Sequence, residues 1–293
     1  MDLVNNKYID MHTHSIYSDG ELEVEDLIKC AINNNVGIMS ITDHDTLFGI
    51  KKARQIYNNK EIEIINGIEL SAKVDKGRLH ILGYDFDINN KELNDKMDEL
   101  KVNSIYAIMA CLNQVKIDYN IKFSEAELKD IINRKGHIGR PLVATLLVKH
   151  GFAKSVDEAF DIYLTPAYNK TRVNNKGIKD KECISLIKNA NGLSVLAHPN
   201  QLLMDDYELE ETLKKLISYG LDGIEVYHSG HTKEEVVKYL KLANKYNLLV
   251  SAGSDYHGVN VKPDIELGRG YKDNVKVKKL SLVEEIKARN SNI

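Results

Sequence analysis

Residues 193–252 read LSVLAHPNQLLMDDYELEETLKKLISYGLDGIEVYHSGHTKEEVVKYLKLANKYNLLVSA, and this stretch decides the fold class. Within it Leu193 to Ala197, Gly223 to Tyr227 and Leu248 to Ala252 are apolar runs of strand length. Between them Leu209 to Tyr219 and Lys233 to Tyr246 carry apolar residues three and four apart, the spacing of an amphipathic helix. Strands joined through helices of this length pair in parallel, because the crossover returns the chain to the edge it left. Upstream, Asp180 to Ala190 reads as a further helix. The first 90 residues show the same alternation: strand Tyr8 to Met11, helix Val24 to Asn34, strand Ile38 to Thr42, helix Leu47 to Tyr57, strand Ile62 to Leu70, a turn at Gly77, and strand Leu79 to Tyr84. The pattern predicts an α/β chain with a mostly parallel sheet. Six or seven such units favour closure into a barrel over the competing doubly wound sheet. From Lys91 to Asn169 the rhythm changes to four helical patterns in succession with no strand. The expectation is a barrel built from residues 1–90 and 171–293, interrupted by an inserted helical cap at 91–170.

A chain of 293 residues has room for one such barrel with an insertion. Hydrophobic residues at 43% and charged residues at 28% are the balance of a globular protein, not a disordered one. The formal charge of -3 predicts neither a nucleic-acid coat nor a membrane surface, so any anion must be held locally. Met1 to Asp10 is polar and no apolar run approaches membrane-spanning length, which predicts no signal peptide, no membrane partner and a cytoplasmic location. Cys30, Cys111 and Cys183 are scattered over helical patterns and read as core thiols. With no Cys-x-x-Cys pair, metal chemistry must use nitrogen and oxygen ligands. The Lys-rich stretch from Asn274 reads as a solvated helix face.

His12-Thr13-His14 closes the first strand, where residues two apart share a face and can chelate one ion. Alone such a pair is weak; its company decides. Asp19, in Ser18-Asp19-Gly20, sits on the turn that follows, and Thr42-Asp43-His44-Asp45 puts an imidazole at the end of the second strand. Glu69 ends the third strand, His80 lies within the fourth, His198 follows Ala197, and Asp255 and His257 follow Gly253. Carboxyl ends of barrel strands are where loops build active sites, whereas ordinary surface histidines scatter over helices and loops. Singly, His44 reads equally well as a turn residue, Asp19 before Gly20 more often as a turn, and His80 as part of a solvated face with Arg78 and Leu82. Glu69 is harder to dismiss, because a buried carboxylate needs a cation or several donors to stay charged. His137, His150, His228 and His231 fall outside the pattern, although His228 follows a strand.

His12-Thr13-His14, Ser18-Asp19-Gly20, Thr42-Asp43-His44-Asp45, Gly67-Ile68-Glu69, Ala197-His198-Pro199 and Gly253-Ser254-Asp255-Tyr256-His257-Gly258 together resemble the polymerase and histidinol phosphatase (PHP) family, in order and spacing, over essentially the whole chain. The insertion with Gly139-Arg140-Pro141 is similar to the branch holding 3',5'-nucleoside bisphosphate phosphatases, cyclic phosphodiesterases and 5'-to-3' exoribonucleases. The resemblance implies a distorted (β/α)7 barrel with an inserted helical cap and three divalent ions, Mn2+ by family expectation, with Fe2+ or Zn2+ compatible with the same ligands. It implies a first ion on His12, His14, Glu69 and Asp255, a second on Glu69, His80 and His198, and a third on Asp19, His44 and His257.

On that ligand set three divalent ions, three carboxylates and one bridging hydroxide leave a net charge of roughly +2, suited to a phosphate dianion. The implied activity is phosphoester hydrolysis by attack of that hydroxide, with Asp255, Glu69 and Arg140 in catalytic roles and Arg140 gripping phosphate. Tyr168 and His228 are candidates for lining the substrate pocket, with a packed aromatic and a solvated histidine as the plainer readings. Leu142 departs from relatives that often carry His after Gly-Arg-Pro. The expected partner is a small phosphorylated, nucleotide-like substrate. Short RNA, histidinol phosphate and a degenerate metal-binding regulatory module are the alternatives, and the absence of a basic strip interleaved with aromatics in the cap disfavours long RNA.

Overall fold

Seven strands lie side by side in the order in which they occur in the chain: β1 (Tyr8–Asp10), β2 (Val36–Ile41), β3 (Glu63–Ala72), β4 (Leu79–Tyr84), β5 (Leu193–Leu196), β6 (Gly223–His228) and β7 (Leu249–Gly253). The computed structural model describes residues 6–57, 61–74, 76–171 and 177–291; residues 1–5 of the polar N-terminal stretch lie outside them. Met11 N donates to Ala252 O at 2.9 Å, which brings the two ends of the sheet together and nearly closes a barrel. The helices between strands, α1 (Val24–Asn33), α2 (Phe48–Ile56), α8 (Asp180–Asn189), α9 (Asp206–Ser218) and α10 (Lys233–Tyr246), pack on its outside. Each of α9 and α10 starts at a reciprocal capping box, Asp205 with Glu208 and Thr232 with Glu235, which satisfies two otherwise orphan backbone donors.

One strand departs from a purely parallel arrangement. β4 runs antiparallel to both β3 and β5. The link from Ala72 to Leu79 is too short for a crossover helix, so the chain turns back as a hairpin. This reversal has a consequence for the site: the beginning of β4, not its end, lies at the mouth where the other strands finish. His80, second residue of β4 and opposite Ser71, therefore faces that mouth rather than solvent.

Between β4 and β5 come α3 (Lys91–Tyr119), α4 (Glu125–Asn133), α5 (Arg140–Lys149), α6 (Val156–Ala159), a π-helical turn at Phe160–Leu164 and α7 (Thr165–Thr171). α3 serves two cores. Its Leu93, Met97 and Leu100 pack with the barrel, while Ile108, Cys111, Leu112 and Val115 pack with Val143, Leu147 and Leu164 in a separate apolar cluster. One continuous helix thus ties the two packing units together. A second tie runs across the barrel mouth: His137 N donates to Tyr17 O at 2.7 Å, and the Arg134 guanidinium donates to the carbonyls of Ile16 and Ser18. Gly136 makes this close approach possible, with φ at +90° and space for a Cβ only 2.1 Å from Tyr17 O. Gly136→Ala is expected to destabilise the fold by about 1–3 kcal/mol through backbone strain and collision. Thermal unfolding checks this, and an unchanged melting temperature would contradict it.

The C-terminal stretch is not simply a solvated face. α11 (Ser281–Ser291) buries Leu282, Val283 and Ile286 against Ile9, Ile38, Leu82, Val195 and Ala252, sealing the end of the barrel opposite the mouth. Its Glu284, Glu285 and Lys287 stay outside because only one side of the helix is covered. All three cysteines are free and helical, Cys111 and Cys183 buried and Cys30 half-buried. None of the described helices is long and apolar enough to cross a membrane.

Candidate metal centre

Glu69 is the hub. It is fully buried near the end of β3. Its Oε2 lies 3.2 Å from His12 Nε2, 3.3 Å from His14 Nε2 and 3.1 Å from His44 Nδ1, and its Oε1 lies 2.7 Å from His80 Nδ1 and 2.9 Å from His198 Nε2. Asp255 Oδ1 adds contacts of 3.2 Å to His14 and 3.5 Å to His12. On the far side Asp19 meets His257 Nε2 at 3.2 Å and His44 Nε2 at 3.7 Å. All nine residues singled out in the sequence as ligands are therefore neighbours. Their donor atoms sort into four overlapping groups: His14, Asp19, His44 and His257; His12, Glu69 and His198; His12, His14 and Asp255; His44, Glu69 and His80.

These contacts suit cations better than hydrogen bonds. Three imidazole nitrogens crowd Glu69 Oε2, which has only two lone pairs. Two tautomers are also set from outside the cluster. His12 Nδ1 donates to Glu225 Oε1 at 3.0 Å, so its Nε2 turns a lone pair toward Glu69 and Asp255. His257 Nδ1 donates to Asp255 O at 2.8 Å, so its Nε2 turns a lone pair toward Asp19. Acceptor facing acceptor needs positive charge between, a proton or a cation: with no cation there, burial pushes His12 down but Glu69, Glu225 and Asp255 outweigh it and raise the imidazole well above its ordinary value. His14 Nε2, Asp19 Oδ1 and His44 Nδ1 are buried with no hydrogen-bond partner, as metal donors would be before binding. Burial pushes His198 down to about 4 and His44 well below its ordinary value, which keeps both imidazoles neutral and able to ligate. Burial pushes the Glu69 carboxyl up, but positive charge among the imidazoles around it, His12 included, outweighs burial and holds the group well below the usual carboxylate range.

Strand ends create this convergence. β1, β2, β5 and β7 deliver their candidate ligands just beyond their carboxyl ends, β3 delivers Glu69 three residues before its own, and reversed β4 delivers His80 at its start. Sharp turns aim two of them inward: His198 and Asp255 hold φ values of +24° and +54°. Left-handed backbone in residues other than glycine costs about 1–3 kcal/mol each and concentrates at functional sites.

Three buried carboxylates hold the loops that carry the ligands, and sequence reasoning missed their role. Glu225 also accepts from His198 N at 2.8 Å. Asp10 accepts from Ser254 N and Oγ at 2.9 and 2.6 Å and from Gly268 N at 2.7 Å. Asp43 accepts from Ser15 N and Oγ at 2.7 and 2.6 Å and from Ser18 Oγ at 2.8 Å. The criterion that marked Glu69, a carboxylate within an apolar strand, applies equally to Glu225 in Ile224-Glu225-Val226 and to Asp10 in Ile9-Asp10-Met11.

The residues expected to touch substrate fall into two places. Arg140 and Tyr168 line a cavity of about 930 Å³ whose wall includes His80, Asp45, Arg78 and His137. The Arg140 guanidinium lies 4.3 Å from the Tyr168 ring centre and 5.5 Å from that of Phe160. His228 lines a different, smaller cavity with Asp255 and Lys262. It is buried, not solvated: its Nδ1 accepts from Gly230 N at 3.0 Å and its Nε2 lies 3.3 Å from Asp255 Oδ2. Leu142 packs against the apolar cluster of the helical segment. His150 pairs with Glu127 and His231 donates from Nδ1 to Val226 O, both away from the cluster.

Against known proteins, the model of the PHP domain matches residues 10–249. The chain belongs to the PHP family. A phosphoribosyl 1,2-cyclic phosphate 1,2-diphosphodiesterase from Eggerthella lenta is 30% identical, over 85% of this PHP chain and 94% of its own. The 5'-3' exoribonuclease Rnm of Escherichia coli is 29% identical over 89% and 88% of the two chains. A 3',5'-nucleoside bisphosphate phosphatase of Chromobacterium violaceum is 26% identical over 85% and 87%. Among solved structures, one from Bifidobacterium adolescentis named for a metal-dependent phosphoesterase has a TM-score of 0.78 and 27% identity, covering 97% of this chain and 96% of that one. In each of these four the similarity spans at least 87% of the relative's own length.

Proposed function

We propose that this chain, a metal-dependent phosphoric ester hydrolase of the PHP family, acts on small nucleotide-like substrates, with 3',5'-nucleoside bisphosphates and cyclic phosphates first in line. The observation that carries the reading is the continuity of the nine-residue cluster with the large cavity: His80 belongs to both. A phosphate at the cluster has the rest of its molecule in that cavity, whose size falls in the range of small-molecule sites.

His12, His14, Asp19, His44, Glu69, His80, His198, Asp255 and His257 would hold up to three divalent ions. Bound there, such ions supply Lewis acidity to the phosphoryl oxygens and acidify a water for in-line attack on phosphorus, chemistry common to manganese, iron and zinc. The protein's part is placement. Glu225 and the Asp255 carbonyl orient His12 and His257, and Asp10 and Asp43 hold the loops that carry His14, Asp19 and Asp255. Arg140, braced on Tyr168, presents a planar fork of donors to phosphate oxygens from across the cavity. We read the segment 91–170 as a cap that closes the cavity over bound substrate.

One observation favours a second reading, stepwise 5'-to-3' removal of nucleotides from short RNA. On the other side of Asp45 a cavity of about 250 Å³ is lined by Phe48, Lys51 and Lys101, with Lys101 Nζ 5.8 Å from the Phe48 ring centre. An aromatic face beside lysines is what a further nucleotide would stack upon. Manganese-loaded protein is expected to turn over a generic aryl phosphate, and to prefer adenosine 3',5'-bisphosphate to a short 5'-phosphorylated oligonucleotide. Preference for the oligonucleotide would establish the RNA reading, and no turnover of any ester by protein shown to carry metal would leave a binding module.

A further inference from the structure

We propose that Arg78, on the link between β3 and β4, is the barrel-side half of a two-arginine clamp that, with Arg140, holds a second phosphate of the substrate, the one not being hydrolysed. This rests on the phosphoester reading above and narrows its substrate class to molecules carrying two phosphate groups.

Arg78 and His80 lie two residues apart, so they point to the same face at the start of β4. His80 touches Glu69 in the cluster, which places Arg78 one step outward, about 7 Å farther along the chain. Both arginines line the same cavity, Arg78 from the barrel and Arg140 from the start of α5. The backbone beneath Arg78 is held. Its N–H donates to Gln201 O at 2.8 Å, and Gly77 before it has φ at +70°, with a Cβ there falling 2.4 Å from Leu202 O.

Neither guanidinium has a carboxylate partner among the described residues; Arg140 has only the rings of Tyr168 and Phe160. Burial, and in smaller part the like charge of Arg78, push the Arg140 guanidinium below its ordinary value. Two cations facing one cavity without a counter-charge repel each other, and a partly desolvated one loses hydration besides. A phosphate between them relieves both costs, and guanidinium geometry meets its oxygens two at a time. With one phosphate at the cluster and another at the clamp, the nucleoside or sugar spans the space between.

The test compares wild type, Arg78→Met and Arg78→Lys on adenosine 3',5'-bisphosphate and adenosine 3'-monophosphate, with calorimetric binding of adenosine 5'-monophosphate and adenosine to the protein as purified. For Arg78→Met the ratio of kcat/KM between the two substrates should fall about 10- to 100-fold, with Lys restoring part of it. Affinity for adenosine 5'-monophosphate should weaken by a similar factor, and affinity for adenosine should not. An equal loss on both substrates, or an unmoved ratio and affinity, overturns the clamp. If bisphosphate is hydrolysed but its preference ignores Arg78, the clamp falls and the phosphoesterase reading stands. If nothing is hydrolysed while 5'-monophosphate binding still depends on Arg78, the reverse holds.

Discussion

Glu69→Gln should lower phosphoesterase turnover by about 1000-fold or more, the largest loss expected from any single substitution in this protein. The shape is nearly unchanged, so the effect isolates charge and lone pairs. A carboxylate offers both oxygens as acceptors, and here five imidazole nitrogens lie within 3.3 Å of them. Glutamine would replace one oxygen with an NH2 group. If that group takes the Oε1 position it meets His80 and His198; at the Oε2 position it meets His12, His14 and His44. Either way the ligands shared through Glu69 lose their common anion, and cations there lose one of only three carboxylates in the cluster. Steady-state turnover with excess manganese, alongside elemental analysis, checks this. A variant with full metal content and wild-type turnover would remove Glu69 from the centre.

Glu225→Gln should act differently, weakening metal affinity about 10- to 100-fold while leaving activity recoverable at high metal concentration. Glu225 is not in the cluster; it grips His12 Nδ1 and His198 N from behind. The amide oxygen of glutamine can keep one of those contacts, so the ligands stay near their places. What disappears is the negative charge that fixes the His12 tautomer and strengthens its other nitrogen as a donor. The carboxylate keeps its charge because, although burial pushes it up, His12 pulls it lower. A metal titration of activity separates the two variants: Glu225→Gln should shift to higher metal concentration and reach an appreciable plateau, whereas Glu69→Gln should stay flat. An unshifted titration for Glu225→Gln would mean that His12 is oriented by its backbone alone.

Much of the barrel was legible because its signals are local. The spacing of apolar residues in Lys233 to Tyr246 predicts a helix with the bounds observed, and the strand at Leu79 to Tyr84 is likewise unchanged. Ends elsewhere moved by a few residues where caps decide them, as when the Asp205 cap starts α9 at Asp206, three residues before Leu209, the first buried leucine of that helix. The residues that gather around Glu69 were legible too, since histidines and carboxylates recur at strand ends. His80 was doubtful only because the direction of β4 is not written in its own residues. The short link before it turns the strand round, and that inverts which end reaches the mouth. The place of His228 likewise depends on the fold. The sequence places it at the end of a strand as a candidate pocket wall, and the fold sets it against Asp255, lining a smaller cavity than the one Arg140 lines.

The sequence by itself determined the alternation of strands and helices, the helical interruption and the set of residues able to bind divalent ions, because periodicity and side-chain chemistry are properties of short stretches. Only the tertiary structure decided which of these residues share Glu69, which carboxylates stand behind them, and that Arg78 and Arg140 face one cavity across 62 positions of chain. Such relations depend on distances between segments far apart in the chain, and those distances are set by packing and strand direction, which no local pattern records.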